Sequence, residues 1–256
     1  LFGNYVIDAK EGELASGLDG KGRMAEPEEL VETLQSFLSK ESKLAGKRIL
    51  ITSGPTNEPI DPVRFIGNHS SGKMGKALAE ACTRAGADVI FITGPVSELP
   101  FAVKELVQIE TADQLLKEAK KHHKEADIVI FSAAVADYKP QKVAKEKIKK
   151  SDDELVIPLE PNPDIAQQLG DRKEKQIHIG FALETSDELE NASRKLQEKK
   201  FDMIVMNSLR DTNAGFKGDQ NKVTFIESNK KKKAFPLKSK VEVANDIVDY
   251  LCEELL

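Results

Sequence analysis

The stretch ITSGPTNEPIDPVRFIGNHSSGKMG, Ile51 to Gly75, gathers asparagine, serine, glycine and lysine at a spacing that builds anion sites. A short apolar, β-branched run, Lys47 to Ser53, leads into it, and a run with helical spacing (Met74, Ala77, Leu78, Ala81, Cys82) leaves it. The polar loop therefore sits at a strand's carboxyl end and stops at a helix N-terminus. Unpaired amides and the positive end of the helix dipole attract phosphate or carboxylate there. Gly54, Gly67 and Gly72 allow close backbone approach, and Ser70 and Ser71 are expected to cap the helix.

Other chemistry-bearing residues recur downstream. Ser132, Ala133 and Ala134 follow a buried-type strand with small side chains, and Asp137 stands just beyond as a hard carboxylate suited to Mg²⁺. A helix cap or surface ion pair would equally use that aspartate. Lys145, Lys147, Lys149 and Lys150 form a charge run that is ordinarily solvated; alternation would put Lys147 and Lys149 on one strand face and Lys150 on the other. Pro161, Asn162 and Pro163 make a stiff turn ahead of a short helix near Asp164, and Asn162 offers donors and an acceptor to a base edge. Phe181 ends a buried strand beside Gly180, where it can flank a ring or simply fill the core. Lys195 and Lys199, four apart, share a helix face. His69 is a tempting base, but without a visible partner it reads as a loop hydrogen-bonding residue.

The elements that must hold these groups alternate. Strand-like runs at Lys47 to Ser53, Asp88 to Thr93, Leu106 to Glu110, Asp127 to Ala133, Gln176 to Phe181 and Asp202 to Met206 are separated by helical runs at Lys73 to Ala85, Ala112 to Glu125 and Asp187 to Lys200. This is the grammar of an α/β, doubly wound, mostly parallel Rossmann-like sheet, whose ligands collect at the strands' carboxyl ends. Two segments interrupt it. Asp137 to Leu159 is expected to be a flap ending in a strand pair, KIKK with ELVIPL, and Asn221 to Leu237 reads as an added β-hairpin. The last helix, Lys240 to Leu255, has a broad apolar face including Val241, Val243 and Ile247, suited to packing on the sheet; no chemistry is assigned to it.

Composition narrows the field. The 256 residues carry 38 Lys plus Arg against 43 Asp plus Glu, a net charge of -5, which disfavours a nucleic-acid surface spread over the whole chain. Cys82 and Cys252 both lie in helical apolar patterns and read as core residues of a reducing cytoplasm. No apolar run reaches the length of a membrane span, and the first residues are not a signal peptide, so a soluble cytoplasmic protein is expected.

Six ordered motifs carry a family resemblance over about Lys47 to Leu256: GPTNEPIDPVRFIGNHSSGKMG, SAAVADYKP, KIKK, PNPDI, GFALET and DMIVMN. Together they resemble phosphopantothenate–cysteine ligase, the second half of the bifunctional bacterial coenzyme A biosynthesis protein, in older usage the DNA/pantothenate metabolism flavoprotein. The resemblance implies that 4′-phosphopantothenate and L-cysteine are joined through an acyl-cytidylate, with CTP as co-substrate, Mg²⁺ as cofactor and CMP and pyrophosphate released, in a homodimer. It implies catalytic roles for Asn68, in amide formation, and Lys147, a triphosphate ligand on a mobile flap. It implies a nucleotide site made by Gly54, Ser70, Ser132, Ala133, Asp137, Pro161, Asn162, Pro163, Phe181, Lys195 and Lys199, with Asp137 also the metal ligand. The choice of CTP over ATP rests on the bacterial members of the family.

The N-terminal piece differs. Glu11 to Leu30, EGELASGLDGKGRMAEPEEL, resembles the closing segment of the decarboxylase half that precedes the ligase in fused chains, but Ser16 stands where that family has a proton-donating cysteine. Residues 1–44 are therefore expected to be a decarboxylase-like tail, linker and helix, residues 45–256 the ligase domain, and FMN and decarboxylation are not expected of this chain alone. A fused or neighbouring decarboxylase domain is a possible partner in that reading.

Rival readings are weaker on the residues. GNHSSGKM has the spacing of a phosphate-binding P-loop, but Met74 replaces the Mg²⁺-binding hydroxyl and a long loop separates it from its strand. A nicotinamide dehydrogenase would need G-x-G-x-x-G directly after Lys47 to Ser53 and an acidic residue closing the second strand, and neither is there. A nucleotide-binding module without turnover could use the same loops.

Overall fold

A computed structural model of the chain describes residues 7, 9–13, 19–31, 42–150, 154–184, 188–208 and 220–256. It divides into two units, Leu1–Lys43 and Leu44–Leu256. In the first, β1 (Lys10–Glu13) pairs antiparallel with β2 (Asp19–Arg23), and residues 27–31 form a helical turn. Ser16 lies outside the described residues.

The second unit holds the alternation read from the sequence. β3 (Arg48–Ser53) is followed by a small antiparallel hairpin, β4 (Asn57–Pro59) with β5 (Phe65–Gly67), and then by α1 (Lys73–Arg84). Next come β6 (Asp88–Thr93), β7 (Glu105–Gln108), α2 (Ala112–His123) and β8 (Ile128–Phe131). β9 (Tyr138–Pro140) and β10 (Leu159–Pro161) form a second small hairpin ahead of α3 (Ile165–Gly170). β11 (Ile177–Glu184), α4 (Glu188–Glu198) and β12 (Met203–Ser208) complete the parallel part. A two-residue β13 (Gln220–Asn221), the hairpin strands β14 (Val223–Glu227) and β15 (Lys232–Ala234), β16 (Lys238–Ser239) and α5 (Lys240–Tyr250) close the chain, with a π turn at Leu251–Leu255.

Six parallel strands lie in the order β7-β6-β3-β8-β11-β12, and β14 and β15 extend the β12 edge antiparallel. Numbered by sequence within the parallel set, the order is 3-2-1-4-5-6, the doubly wound arrangement whose direction reverses between β3 and β8. The central strands are apolar on both faces because both faces are covered. Ile49 and Ile51 pack with Leu78, Val243 and Ile247 on one side, while Leu50 packs with Leu115 and Leu169 on the other. Each such fully buried aliphatic side chain contributes about 1.5–3 kcal/mol.

Several local expectations are corrected. KIKK is not a strand: the flap's pairing is made by β9 and β10, and Lys147 to Lys150 run between them in irregular backbone. Neither Ser70 nor Ser71 caps α1; the N-cap is Gly72 in the left-handed conformation (φ 72°), without a side-chain cap bond. A Cβ there would sit 2.5 Å from Val96 Cγ1, so the tight entry itself requires glycine. On the last helix Val241 is exposed, and the buried face is Val243, Ala244, Ile247 and Val248. Asp187, the expected start of α4, is outside the described residues.

Candidate active site

The carboxyl ends of β3 and β8 meet at the reversal point and their exit segments run side by side. Ser132 N donates to Thr52 O (3.0 Å), Ala134 N to Gly54 O (2.8 Å) and Ala136 N to the buried Thr56 Oγ1 (3.0 Å). This backbone ladder fixes both loops as one platform. Asn68, arriving from the hairpin of β4 and β5, lies across it, with Nδ2 donating to Val135 O (2.9 Å). The α1 N-terminus approaches β3 so closely that a Cβ on Gly75 would lie 2.0 Å from Ser53 Oγ.

Two neighbouring cavities open on this platform. The larger, about 440 Å³, is lined by Asn68, Ala133, Asp137, Asn162, Pro163, Phe181, Lys195 and Lys199, with Phe131, Phe201 and Asp164 beside them. The smaller, about 140 Å³, is lined by Ser70 to Gly75, Ser132, Ala133, Phe181, Asn207, Asn221 and Lys240. Ala133, Ala134 and Phe181 belong to both, so the cavities share a wall.

The geometry thus brings ten of the thirteen residues expected from the sequence to one place. Gly54, Lys147 and Pro161 line neither cavity. Gly54 (φ 71°) sits under the platform, where its carbonyl accepts from Ala134. Pro161 is an exposed residue of β10. Lys147 is exposed, but its neighbour Ile148 is clamped: Ile148 N donates to Asp61 Oδ2 (3.1 Å) and Arg64 Nη2 donates to Ile148 O (2.9 Å).

Charges in the long loop hold its structure. The Arg64 guanidinium, opposed by burial and aided by the amides of Val63, Ile148 and Arg64, keeps the Asp61 carboxyl well below the usual carboxylate range. Glu58, also buried, accepts from Ala112 N (2.9 Å) at the start of α2. Lys199 pairs with Asp164 (3.2 Å), and both line the larger cavity.

Two amide oxygens at the cavities are buried without a partner: Asn162 Oδ1 and Asn207 Oδ1. Asn162 is held by its other atoms, with Nδ2 donating to Ala136 O (2.8 Å) and the backbone N to Asp137 O (2.8 Å). An acceptor presented this way suits a ligand's amino group. Among the described residues no group of three or more His, Cys, Asp or Glu could hold a metal ion. A single carboxylate, Asp137, fits a Mg²⁺ that arrives on a triphosphate and keeps most of its ligands from phosphate and water.

Asn207, Asn221 and Lys240 were not among the expected site residues. Asn207 had a signal, a polar residue ending the apolar run DMIVMN where a parallel strand opens to its ligand end. Lys240, the first residue of α5, is buried and lines the smaller cavity; nothing in the helix pattern distinguishes it from a solvated lysine.

A family model described as the DNA/pantothenate metabolism flavoprotein C-terminal domain matches residues 44–255. A cysteine/cysteine sulfinic acid decarboxylase from an unknown prokaryotic organism is 49% identical over 252 residues, 96% of this chain and 70% of that protein. The coenzyme A biosynthesis bifunctional protein CoaBC of Bacillus subtilis is 42% identical over 249 residues, covering 96% of this chain and 61% of that one. The chain thus spans about three-fifths of that bifunctional relative. The crystal structure of the C-terminal domain of a CoaBC protein superposes with a TM-score of 0.72 at 43% identity, covering 84% of this chain and 98% of that one.

Proposed function

The chain belongs to the DNA/pantothenate metabolism flavoprotein C-terminal domain family, and from that premise we propose that it is a phosphopantothenate–cysteine ligase of coenzyme A biosynthesis. The observation that carries the reading is the pair of adjoining cavities at the reversal point, into which residues from five separated motifs converge. An acid–amine ligase needs such a layout: a nucleotide held beside a carboxylate, and room for an amine to replace the nucleotide.

In this reading CTP occupies the larger cavity. Asn162 Oδ1 accepts from the cytosine amino group, Phe181 flanks the ring, Lys195 and Lys199 bind the phosphate and ribose side, and Ser132 contacts the nucleotide from the adjoining smaller cavity. Asp137 would hold a Mg²⁺ brought in on the triphosphate, which would supply charge neutralisation there. The substrate carboxylate attacks the α-phosphorus, forming the acyl-cytidylate and releasing pyrophosphate; electrostatics and positioning supply the rate. The cysteine amine then attacks the acyl carbon, loses a proton to water, and CMP leaves. Asn68, fixed across the platform by Val135 O, orients the acyl carbonyl. Lys147 closes on the triphosphate when the segment beyond the Asp61–Arg64 clamp moves, shielding the mixed anhydride from water. The working form is a homodimer in the cytoplasm, and any flavin chemistry belongs to a separate or fused decarboxylase domain.

The name of the 49% identical relative gives a second reading, decarboxylation of cysteine or cysteine sulfinate. Mass spectrometry separates the two. The protein is incubated with 4′-phosphopantothenate, Mg²⁺ and CTP or ATP, with and without cysteine, and in parallel with cysteine or cysteine sulfinate alone. An acyl-cytidylate without cysteine and phosphopantothenoylcysteine with it is the expected result. Carbon dioxide from the amino acid alone, with no pyrophosphate from either nucleotide, would overturn the ligase reading.

A further inference from the structure

We infer that Phe201, backed by Phe131, limits the larger cavity to a single-ring base, and that Gly180 is the positioning residue that lets Phe201 stand there. The inference rests on the ligase reading and adds which side chains decide between CTP and ATP.

The larger cavity is polar at Asp137, Asn162, Lys195 and Lys199 and aromatic at Phe131, Phe181 and Phe201. The charged groups suit phosphates. The base belongs with Asn162, whose buried Oδ1 has no hydrogen-bond partner. From Asn162 the chain runs through Pro163 into α3, where Ile165 and Ala166 also line the cavity. Ala166 and Phe131 both pack against the apolar cluster that contains Phe201. One short helix start thus joins the base acceptor to the rings. Neither Phe131 nor Phe201 was among the expected site residues.

Phe201 is held from behind. It is 6% exposed and packs with Leu196 of α4 and with Ile204 and Met206 of β12. A Cβ on Gly180 would lie 2.2 Å from its Cε2, 2.6 Å from its Cδ2 and 2.7 Å from its Cζ, so the ring edge rests directly on the β11 backbone. Phe131 lies 5.3 Å from Phe201, centre to centre and tilted by 43°. His178 backs Phe131 edge-on at 5.3 Å and meets His123 at 5.1 Å. His178 and Gly180, two apart on β11, face the same side of the sheet; one braces Phe131 and the other makes room for Phe201. Rings that back one another in a close-packed interior yield little. Such a wall selects by size. A purine exceeds a pyrimidine by a fused ring, and the phenyl group that Phe201→Ala removes is larger than that addition.

The test uses the full chain and the variants F201A, F201L, G180A and G180A/F201L, each checked for folding by circular dichroism; F201L serves if F201A does not fold. Calorimetry measures CTP and ATP binding with Mg²⁺, and pyrophosphate release with 4′-phosphopantothenate gives kcat/KM for each nucleotide. The wild type is expected to favour CTP over ATP by about tenfold or more. F201A should lose most of that preference by gaining ATP, with F201L between the two. G180A, which drives the ring into the cavity, should weaken CTP by about tenfold, and F201L in the double variant should restore most of it. A general fold defect at either site would show no such rescue. A wild type that does not favour CTP, or folded Phe201 variants that keep the preference or lose both nucleotides equally, overturns the inference. The ligase reading fails separately: a wild type whose binding preference for CTP is relaxed in F201A, but which releases no pyrophosphate, keeps the size limit and loses the reaction.

Discussion

The two ends of the parallel sheet treat their polar groups in opposite ways. At the amino ends charges are paired: Arg48 with Glu125 (2.5 Å), Lys104 with Asp88, and Lys173 with Asp202 (2.6 Å). Among the described residues, one buried ring nitrogen without a hydrogen-bond partner at that end is His178 Nδ1. At the carboxyl ends the unpartnered atoms are amide oxygens, Asn162 Oδ1 and Asn207 Oδ1, and they line cavities. An amide acceptor has no proton to gain near neutrality, so it can wait for a ligand at any physiological pH. An orphaned imidazole nitrogen instead makes its end of the fold sensitive to acid. The carboxyl end is arranged for binding, and the amino end for stability under a pH condition.

The sharpest test of that division is Asn68→Ala. If the carboxyl-end platform orients the acyl group, losing this one neutral amide should lower amide formation by about 10²–10³, the cost of removing a transition-state hydrogen bond. Rapid-quench analysis should then find acyl-cytidylate accumulating in the presence of cysteine, with CTP affinity little changed. Equal loss of both half-reactions would mean that Asn68 holds the fold, and the two ends of the sheet would not differ as described.

The next effect belongs to the amino end. His123 Nε2 and His178 Nε2 lie 3.0 Å apart, both buried, with Phe131 stacked edge-on to His178. Burial first, then the neighbouring His123 and Lys173, lowers the His178 imidazole from 6.5 to about 3, and burial and Arg172 lower His123. A folded value below the unfolded one means that protons bind the unfolded chain better. The contribution is complete above 6.5 and declines as pH falls towards 3. Between pH 7 and 5 His178 alone should remove about 2 kcal/mol of stability. Urea melts at the two pH values should show this, and His178→Leu should flatten the slope. An unchanged slope would place the acid sensitivity elsewhere.

Back at the carboxyl end, Asn162→Ala should raise the KM for CTP by about tenfold through loss of one hydrogen bond to the base. Uridine triphosphate, which presents a carbonyl where cytosine has its amino group, should be discriminated against by the wild type and less so by the variant. Discrimination that survives in N162A would leave base selection to backbone groups on the platform.

Much of this contrast is legible in the sequence, and the missing part has a physical cause. The apolar runs at Arg48–Ser53 and Asp88–Thr93 announce a two-sided sheet because nothing polar interrupts either face. Motifs at strand ends, such as Ser132–Ala133 and Asn162–Pro163, announce the two adjoining cavities because ligands collect where strands end. KIKK misleads because its alternation follows from Ile148 turning towards Asp61 and Arg64, a contact across 84 to 87 positions that no local pattern encodes. Asn207 and Lys240 are missed because a site built by β12 and α5 against α1 depends on how distant elements pack. The buried histidine pair, 55 positions apart, is hidden for that reason too.

The smallest expected effect closes the comparison at the amino end. Arg48 and Glu125 are 45% and 70% exposed at the side chain, so water screens their attraction and each must surrender rotamer freedom to keep it. Such pairs contribute about 0.2–1 kcal/mol. Arg48→Ala, Glu125→Ala and the double variant should therefore give a coupling energy below about 1 kcal/mol in denaturant melts, shrinking further in salt. The backbone bond from Arg48 N to Asp127 Oδ2 (2.9 Å) survives all three changes, which keeps the β3 start in place while the ion pair is removed. A coupling several times larger would show that the exposed charges cooperate as a network with Lys104, Asp88 and Glu105, which line one cavity with Arg48 and Glu125 at the amino end. The amino end would then owe its stability to charge as well as to the apolar strands above it, and salt would join acid as a condition that loosens it.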